Sequence, residues 1–249
     1  MSLSVVIITL NEEANLARTL ASVGWADEIV VVDSGSTDRT CEIAESFRGK
    51  FYVEPWKGFA AQKNSALAKA TGDWILALDA DEEVEPALAE EIRGALGANP
   101  PVAGFWIPRK NFFLGRWMRH GGFYPDPKLR LFRRGSGSFE DRLVHEDLKL
   151  DGAAASLKNH LLHHAYPTLD SYIEHMNRYS SLGAQMAAQQ RPRGFNLTDV
   201  VIRPKLTFLY NYVLRLGFLD GREGLLLHAY HATYVSWKYA KAWEISRRK

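Results

Sequence analysis

The sequence predicts an α/β protein: an open, doubly wound, mostly parallel sheet with helices on both faces, followed by a C-terminal helical appendage. Three observations carry this. Short β-branched runs alternate with segments of helical period as far as residue 97, the order from which parallel sheets with helical cover are built. The runs are apolar without a break, as strands covered on both faces are. From residue 169 only helical periodicity remains, in stretches 169–190, 199–218 and 222–246. A chain of 249 residues, 46% of them hydrophobic, has room for one large domain and an appendage.

Residues 4–8 (SVVII) and 28–32 (EIVVV) are the first two strands, each bounded by polar residues. Between them Leu16, Leu20 and Val23 recur at helical spacing, with Asn11 available as a cap. The turn Asp33-Ser-Gly-Ser-Thr-Asp38 leads into a helix through Ile43 and Phe47, then a strand near 51–53. Residues 62–70 form a third helix, ended by Gly72, and 74–78 the next strand. After Asn99-Pro-Pro101 the texture changes, and 104–134 is thick with aromatic residues and arginines. No stretch reaches the ~18 apolar residues that a spanning helix needs. The opening "MSLSVVIIT" lacks a basic segment ahead of its apolar run, so it is read as a strand and not as a signal peptide. A single cysteine, Cys41, excludes an internal disulfide and fits a reducing compartment. A net charge of +2 argues against a nucleic-acid partner.

The chemistry concentrates at strand ends. "WILALDADEE" runs a buried strand into Asp79, Asp81, Glu82 and Glu83. Carboxylates this close raise one another's pKa, and a hard divalent cation would relieve the repulsion. The alternative is a solvated acidic turn at the start of the next helix. Two more polar loops, Thr9-Leu-Asn-Glu12 and Asp33–Asp38, also follow strands directly, so all three should meet at one edge of the sheet, where open parallel sheets bind ligands. Neither glycine-rich phosphate cradle is present after these strands. A nucleotide here would therefore need a metal to neutralise its phosphates.

These segments, "SVVIITLNEEANLARTLASV", "EIVVVDSGSTDRT", "AAQKNSAL" and "WILALDADE", resemble in order the motifs of the family-two glycosyltransferases of GT-A fold, inverting enzymes that use nucleotide-sugar donors. The resemblance implies that Asp79-Ala80-Asp81 is the DxD motif, with Asp81 the ligand of Mn²⁺ or Mg²⁺ and Asp79 at the ribose or a metal-bound water. It implies Thr9, Asn11 and Glu12 along the nucleoside, Asp33 on the uracil edge with Gly35 and Ser36 in its loop, and Lys63 at the phosphate or nucleotide. Ser36 and Asp38 as helix caps, and Lys63 as a surface lysine, are the structural alternatives. "SFEDRLVHEDL" resembles the subgroup that carries its base at this place, which implies Glu146, then Asp147, as the group taking the acceptor proton. "LLHHAYP" offers His163 as a further metal ligand beside Asp81 and Asp79. With "GFLDGREGL", it extends the likeness to bacterial lipopolysaccharide inner-core β-glucosyltransferases.

In the interleaved stretch 104–134, Arg109, Arg116, Arg119, Arg130 and Arg133 are candidates to grip acceptor phosphates. The domain expectation is 1–165 for the GT-A domain, split into a donor half (1–98) and an acceptor half (99–165), and 166–249 for a helical region. That last region mixes Leu, Tyr and Trp with Lys and Arg, which suits either helices on an anionic membrane face or a helical pair packed on the core. The expected partners are a UDP-sugar and a lipid-linked saccharide acceptor, met peripherally at the inner face of the cytoplasmic membrane. Another acceptor, polyprenyl phosphate or protein, and a non-catalytic nucleotide-sugar-binding scaffold are the alternatives.

Overall fold

The computed structural model describes residues 1–47, 49–140, 148–190 and 194–247. The chain falls into two compact units, one comprising Met1–Arg109 and Pro127–His163, the other Lys110–Asp126 and His164–Lys249.

The first unit begins β1 (Leu3–Thr9), α1 (Leu16–Ser22), β2 (Glu28–Asp33), α2 (Thr40–Ser46), β3 (Lys50–Val53), α3 (Phe59–Lys69), β4 (Trp74–Asp79), β5 (Glu82–Val84), α4 (Pro86–Gly97) and β6 (Gly104–Ile107). Next along the chain come β7 (Arg109–Phe113) and β8 (Arg116–Trp117), which apart from Arg109 belong to the second unit. They are followed by β9 (Lys128–Arg133), β10 (Gly137–Phe139), β11 (Leu148–Leu150), β12 (Ala154–Ser156) and β13 (Leu161–Tyr166). Among the described residues the main sheet has seven strands in the order β12-β6-β9-β4-β1-β2-β3. One side of it, β4-β1-β2-β3, is parallel, while β9 runs antiparallel to both β4 and β6.

The uninterrupted apolar runs have the expected cause, since both faces of the sheet are covered. Along β1, Val5 and Ile7 join one cluster with Leu16, Leu20 and Leu88, and Val6 joins the other with Ala66 and Ile75. Trp74 and Leu76 divide from Ile75 and Ala77 along β4 in the same way. Each such side chain, fully buried, stabilises by about 1.5–3 kcal/mol. Where the chain turns from α3 into β4, a Cβ on Gly72 would lie 2.7 Å from the Ser4 hydroxyl and 2.8 Å from its backbone nitrogen, so only glycine fits. Register brings the parallel strands to a common finish, with Thr9 beside Asp33 and Ile8 beside Asp79.

One local expectation fails here. Asn11 does not cap α1, which starts at Leu16; it sits at φ +56° and accepts a hydrogen bond from the Thr37 amide at 2.9 Å.

In the second unit, β7 and β8 form a hairpin through Leu114 and Gly115, both at positive φ, the turn that suits the right-handed twist of a hairpin. Phe113 and Met118 are buried with Tyr172 and Leu227 from α5 (Leu169–Gln190) and α7 (Gly221–Arg247). This is why residues 110–126 group with the C-terminal helices and not with the acceptor half in which the sequence places them. Between α5 and α7 lie π-helical turns at Thr198–Ile202 and Leu209–Leu214, the short α6 (Arg203–Phe208) and a 3₁₀ turn at Gly217–Asp220. No helix among the described residues is long and apolar enough to cross a membrane.

Candidate functional site

The first two loops at the carboxyl edge are tied to each other. Asp33, fully buried, accepts from the amides of Gly35 and Ser36 at 2.8 and 2.7 Å on one carboxylate oxygen. The hydroxyls of Thr9, at 2.8 Å, and Ser36 donate to the other. A carboxylate has about four acceptor positions, and all four are taken. In this arrangement the Asp33 carboxylate shapes the loop. Gly35, at φ +91°, supplies the turn that lets two successive amides reach one oxygen. The Asn11 amide donates to the Ser36 hydroxyl at 2.8 Å and the Glu12 amide to the Thr40 hydroxyl at 2.8 Å, fastening Thr9–Glu12 along 36–40. Ser36 is thus spent within the loop. Asp38 accepts from the Thr40 amide at 3.0 Å, at the start of α2. Burial, reinforced by Asp81, Asp38 and Asp79 against an Asn15 hydrogen bond, raises the Glu12 carboxyl above its ordinary value.

The acidic segment is organised by cations from distant strands. Arg130, on β9 and buried, donates to Asp79 and, at 2.8 Å, to Glu82. Arg109 meets Glu82 at 2.9 Å, and Lys63 of α3 meets Asp79 at 2.9 Å while lying over the Phe139 ring. Glu82 is fully buried and also accepts from the Asp79 amide at 3.0 Å. Each pair at this distance attracts by about 6 kcal/mol at an effective dielectric constant near 20, enough to offset the several kcal/mol that each buried ion loses by leaving water. Burial alone would raise the Asp79 carboxyl; Arg130, Lys63 and Arg109 outweigh it and hold it well below the usual carboxylate range. Ala80 is buried, and its carbonyl accepts from the Thr19 hydroxyl at 2.6 Å, which fixes the turn.

Three expectations change as a result. The relief of carboxylate repulsion comes, for Asp79 and Glu82, from the protein's own Lys63, Arg109 and Arg130. Lys63 is 9% exposed, which removes the surface-lysine alternative. Arg109 and Arg130 are engaged by Glu82 and Asp79 rather than aimed at an acceptor phosphate, and the half-buried Arg133 donates to the carbonyls of Val102 and Pro100 and lies over Trp74.

Asp81 stands apart. Its ion-pair partner is a histidine, His163 Nε2 at 3.3 Å, brought there by the pairing of β13 with β5, in which His163 sits opposite Glu82. Burial would raise the Asp81 carboxyl, but His163 and Arg109 prevail over it and over Asp79, and it lies lower than usual. The neighbouring His164 stacks on Phe112 instead. Among the described residues no cluster of three or more His, Cys, Asp or Glu is assembled around one point. Asp81 and His163 do fit a cation. Their separation is about that of two adjacent ligands on an octahedral ion bound at ~2.1 Å, and Mg²⁺-like ions keep several waters or phosphate oxygens beyond one or two protein ligands. Glu146 and Asp147 lie outside the described residues.

Sequence reasoning missed the pairing of Arg130 with Asp79 and Glu82. A signal existed: an arginine between Leu129 and Leu131, in a strand apolar enough to be central, has to find a carboxylate partner.

Comparison with known proteins gives a consistent picture. The family model for "Glycosyl transferase family 2" matches residues 4–149. The chain is similar to the lipopolysaccharide core biosynthesis glycosyltransferase LpsC of Rhizobium meliloti (strain 1021), 32% identical over 253 residues, covering 98% of this chain and 93% of LpsC. It is also similar to a glycosyltransferase of Rickettsia bellii (strain RML369-C), 50% identical over 236 residues, 90% of this chain and 80% of that protein. Among solved structures, S. aureus TarS 1–349 in complex with UDP aligns at a TM-score of 0.52 and 18% identity, over 100% of this chain and 92% of that one. The mannosyltransferase PcManGT from Pyrobaculum calidifontis, in complex with GDP-Man and Mn²⁺, aligns at 0.52 and 18%, over 99% and 85%. At these identities the structural likeness is one of fold, the GT-A fold.

Proposed function

The chain belongs to glycosyl transferase family 2 and is a glycosyltransferase, and from that premise we propose that it moves a hexose, glucose from UDP-glucose, with inversion onto a heptose or similar sugar of a lipid-linked lipopolysaccharide-core acceptor. Likeness to LpsC along nearly the whole chain supports the acceptor class. The UDP held by TarS and the GDP-Man and Mn²⁺ held by PcManGT support a nucleotide-sugar donor and a divalent metal. A lipid-linked acceptor puts the enzyme in peripheral contact with the inner face of the cytoplasmic membrane.

One observation carries the metal-dependent donor site: the charge balance at the edge of the sheet. Lys63, Arg109 and Arg130 are taken up by Asp79 and Glu82, while Asp81 has His163 as its ion-pair partner. With those three cations spent on carboxylates, a diphosphate at this edge needs a further cation to accompany it. Asp81 and His163 would hold that cation, Mn²⁺ or Mg²⁺, which when bound supplies Lewis-acid stabilisation of charge on the departing nucleoside diphosphate.

The chain's own residues do the rest. Asp33 preorganises the 33–38 loop against which Thr9, Asn11 and Glu12 are fastened, so that the nucleoside meets a set edge and not a loose loop. Lys63 and Arg130 keep Asp79 ionised and stationary beside Asp81. Glu146, with Asp147 next to it, takes the proton of the acceptor hydroxyl as its oxygen bonds to the anomeric carbon; the bond from that carbon to the phosphate oxygen breaks on the opposite side, and its electron pair leaves with the nucleoside diphosphate.

The test is nucleotide release from a panel of UDP-, GDP- and ADP-sugars with Mn²⁺, with Mg²⁺ and with EDTA. The expected result is release from a single UDP-hexose that needs metal. Release from a GDP- or ADP-sugar, or release undiminished in EDTA, would overturn the donor or the metal assignment respectively.

A further inference from the structure

We infer that the segment from Ile202 to Leu219 is a membrane-docking edge that inserts into the headgroup region of an anionic phospholipid bilayer. The inference takes from the proposed function only the location of the acceptor.

The first observation is exposure. Nine large apolar side chains between Ile202 and Leu219 face solvent, Leu214 being 73% and Leu206 59% exposed. At about half exposure each, they present on the order of 900 Å², above the roughly 300–600 Å² of the largest apolar patch on an ordinary monomer. Their arrangement is regular: Ile202, Leu206, Leu209 and Val213 recur at i, i+4, i+7 and i+11, with Tyr210 and Leu214 on the adjoining row. The helical turns here are short and leave this row on the outside of the unit.

Charge chooses the occupant. From Val200 to Leu219 the sequence carries Arg203, Lys205 and Arg215 and no acidic residue. The acids at the two borders are withdrawn from the surface: Asp199 is 7% exposed and meets Arg203 at 3.0 Å, and Asp220 is 1% exposed and meets His120 Nδ1 at 2.8 Å. An apolar row set among cations, with its anions buried, is complementary to an anionic headgroup layer above hydrocarbon. A second copy of the chain is disfavoured by the same feature. A two-fold contact places a patch against itself, so Arg203, Lys205 and Arg215 would face their own kind. No span is needed for such an edge, and none is present among the described residues.

The test is co-sedimentation of the full chain with vesicles of phosphatidylcholine, with and without phosphatidylglycerol, alongside light scattering of the free protein. Binding is expected at least tenfold tighter to the phosphatidylglycerol vesicles and should fall at high salt. Lys205→Gln should weaken it about fivefold, and Leu206→Ser with Leu214→Ser more than tenfold. Both variants should keep their circular dichroism and their release of nucleotide from the donor in vesicle-free buffer. Failure to sediment with either vesicle, or equal binding to both that ignores these substitutions, would overturn the inference. So would a wild-type dimer that the leucine substitutions dissociate, which would assign the edge to a second copy. Loss of donor turnover with vesicle binding intact would count against the proposed enzyme activity and leave the docking edge standing.

Discussion

Replacing Arg130 by methionine tests the buried charge network most directly. Methionine keeps much of the length and removes the charge, so among the described residues Glu82, fully buried, is left with Arg109 as its ion-pair partner and Asp79 with Lys63. The Arg130–Glu82 contact at 2.8 Å is worth about 6 kcal/mol of direct attraction at an effective dielectric constant near 20. Part of this is returned because the arginine no longer has to be desolvated, and breaking one partner from a buried pair leaves a net loss of about 3–5 kcal/mol. For a chain of this size that is a fall in Tm of about 6–20 °C, read by circular dichroism at neutral pH. The sign with pH follows from Asp79. Its folded pKa lies below the ordinary value near 3.9, so its stabilisation is complete above that value and is lost as pH falls through the lowered one. Without Arg130 the Asp79 pKa moves up, so the deficit should be largest at neutral pH and shrink in acid. Glu82→Gln in the Arg130→Met background should recover part of the loss, because the two groups are coupled. A Tm within about 2 °C of the parent at neutral pH would refute the view that these ions depend on one another.

Substitutions at Asp81, His163, Asp33 and Glu146 separate the remaining roles. Asp81→Asn should abolish metal-supported nucleotide release with Tm nearly unchanged, and His163→Ala should weaken support by Mn²⁺ more than by Mg²⁺, because imidazole suits Mn²⁺ better; equal loss with both metals would remove His163 from the ligand set. Asp33→Ala leaves two amides and two hydroxyls without their acceptor and should cost about 3 kcal/mol or more, whereas Asp33→Asn can present its oxygen to the amides and its NH₂ to the hydroxyls. The Asn variant should therefore keep UDP affinity within about threefold in a calorimetric titration, and a loss beyond tenfold would return Asp33 to the base edge. Glu146→Gln should lower transfer by 10²- to 10⁴-fold at unchanged donor KM if it is the base; an unaffected rate would favour a phosphate acceptor, which is already ionised.

What the sequence made legible was whatever depends on neighbours along the chain. The β-branched run at 4–8 became β1 at Leu3–Thr9, and 28–32 became β2 at Glu28–Asp33, because strands covered on both faces need no partner pattern to be recognised. The three polar loops met at one edge because each follows a parallel strand directly. The hydrogen bonds of Asp33 to Gly35 and Ser36 were legible too, as an Asp-Ser-Gly-Ser turn whose first side chain caps its own backbone. The partners of the carboxylates were a different matter. Arg130 lies 51 positions from Asp79 and 48 from Glu82, and the two meet only because β9 inserts antiparallel between β4 and β6, which no local pattern announces. The aromatic stretch 104–134 resisted division for the same reason, since its residues are shared between a central strand of one unit and a hairpin of the other. Glu83 finds Arg18 at 3.6 Å, and Asp79 and Glu82 find their cations on α3, β7 and β9. Asp81 is the member of the four whose ion-pair partner is an imidazole, a side chain that can itself present a lone pair to a metal. That difference separates a carboxylate kept for architecture from one left able to hold a metal, and it depends on partners that a motif does not contain.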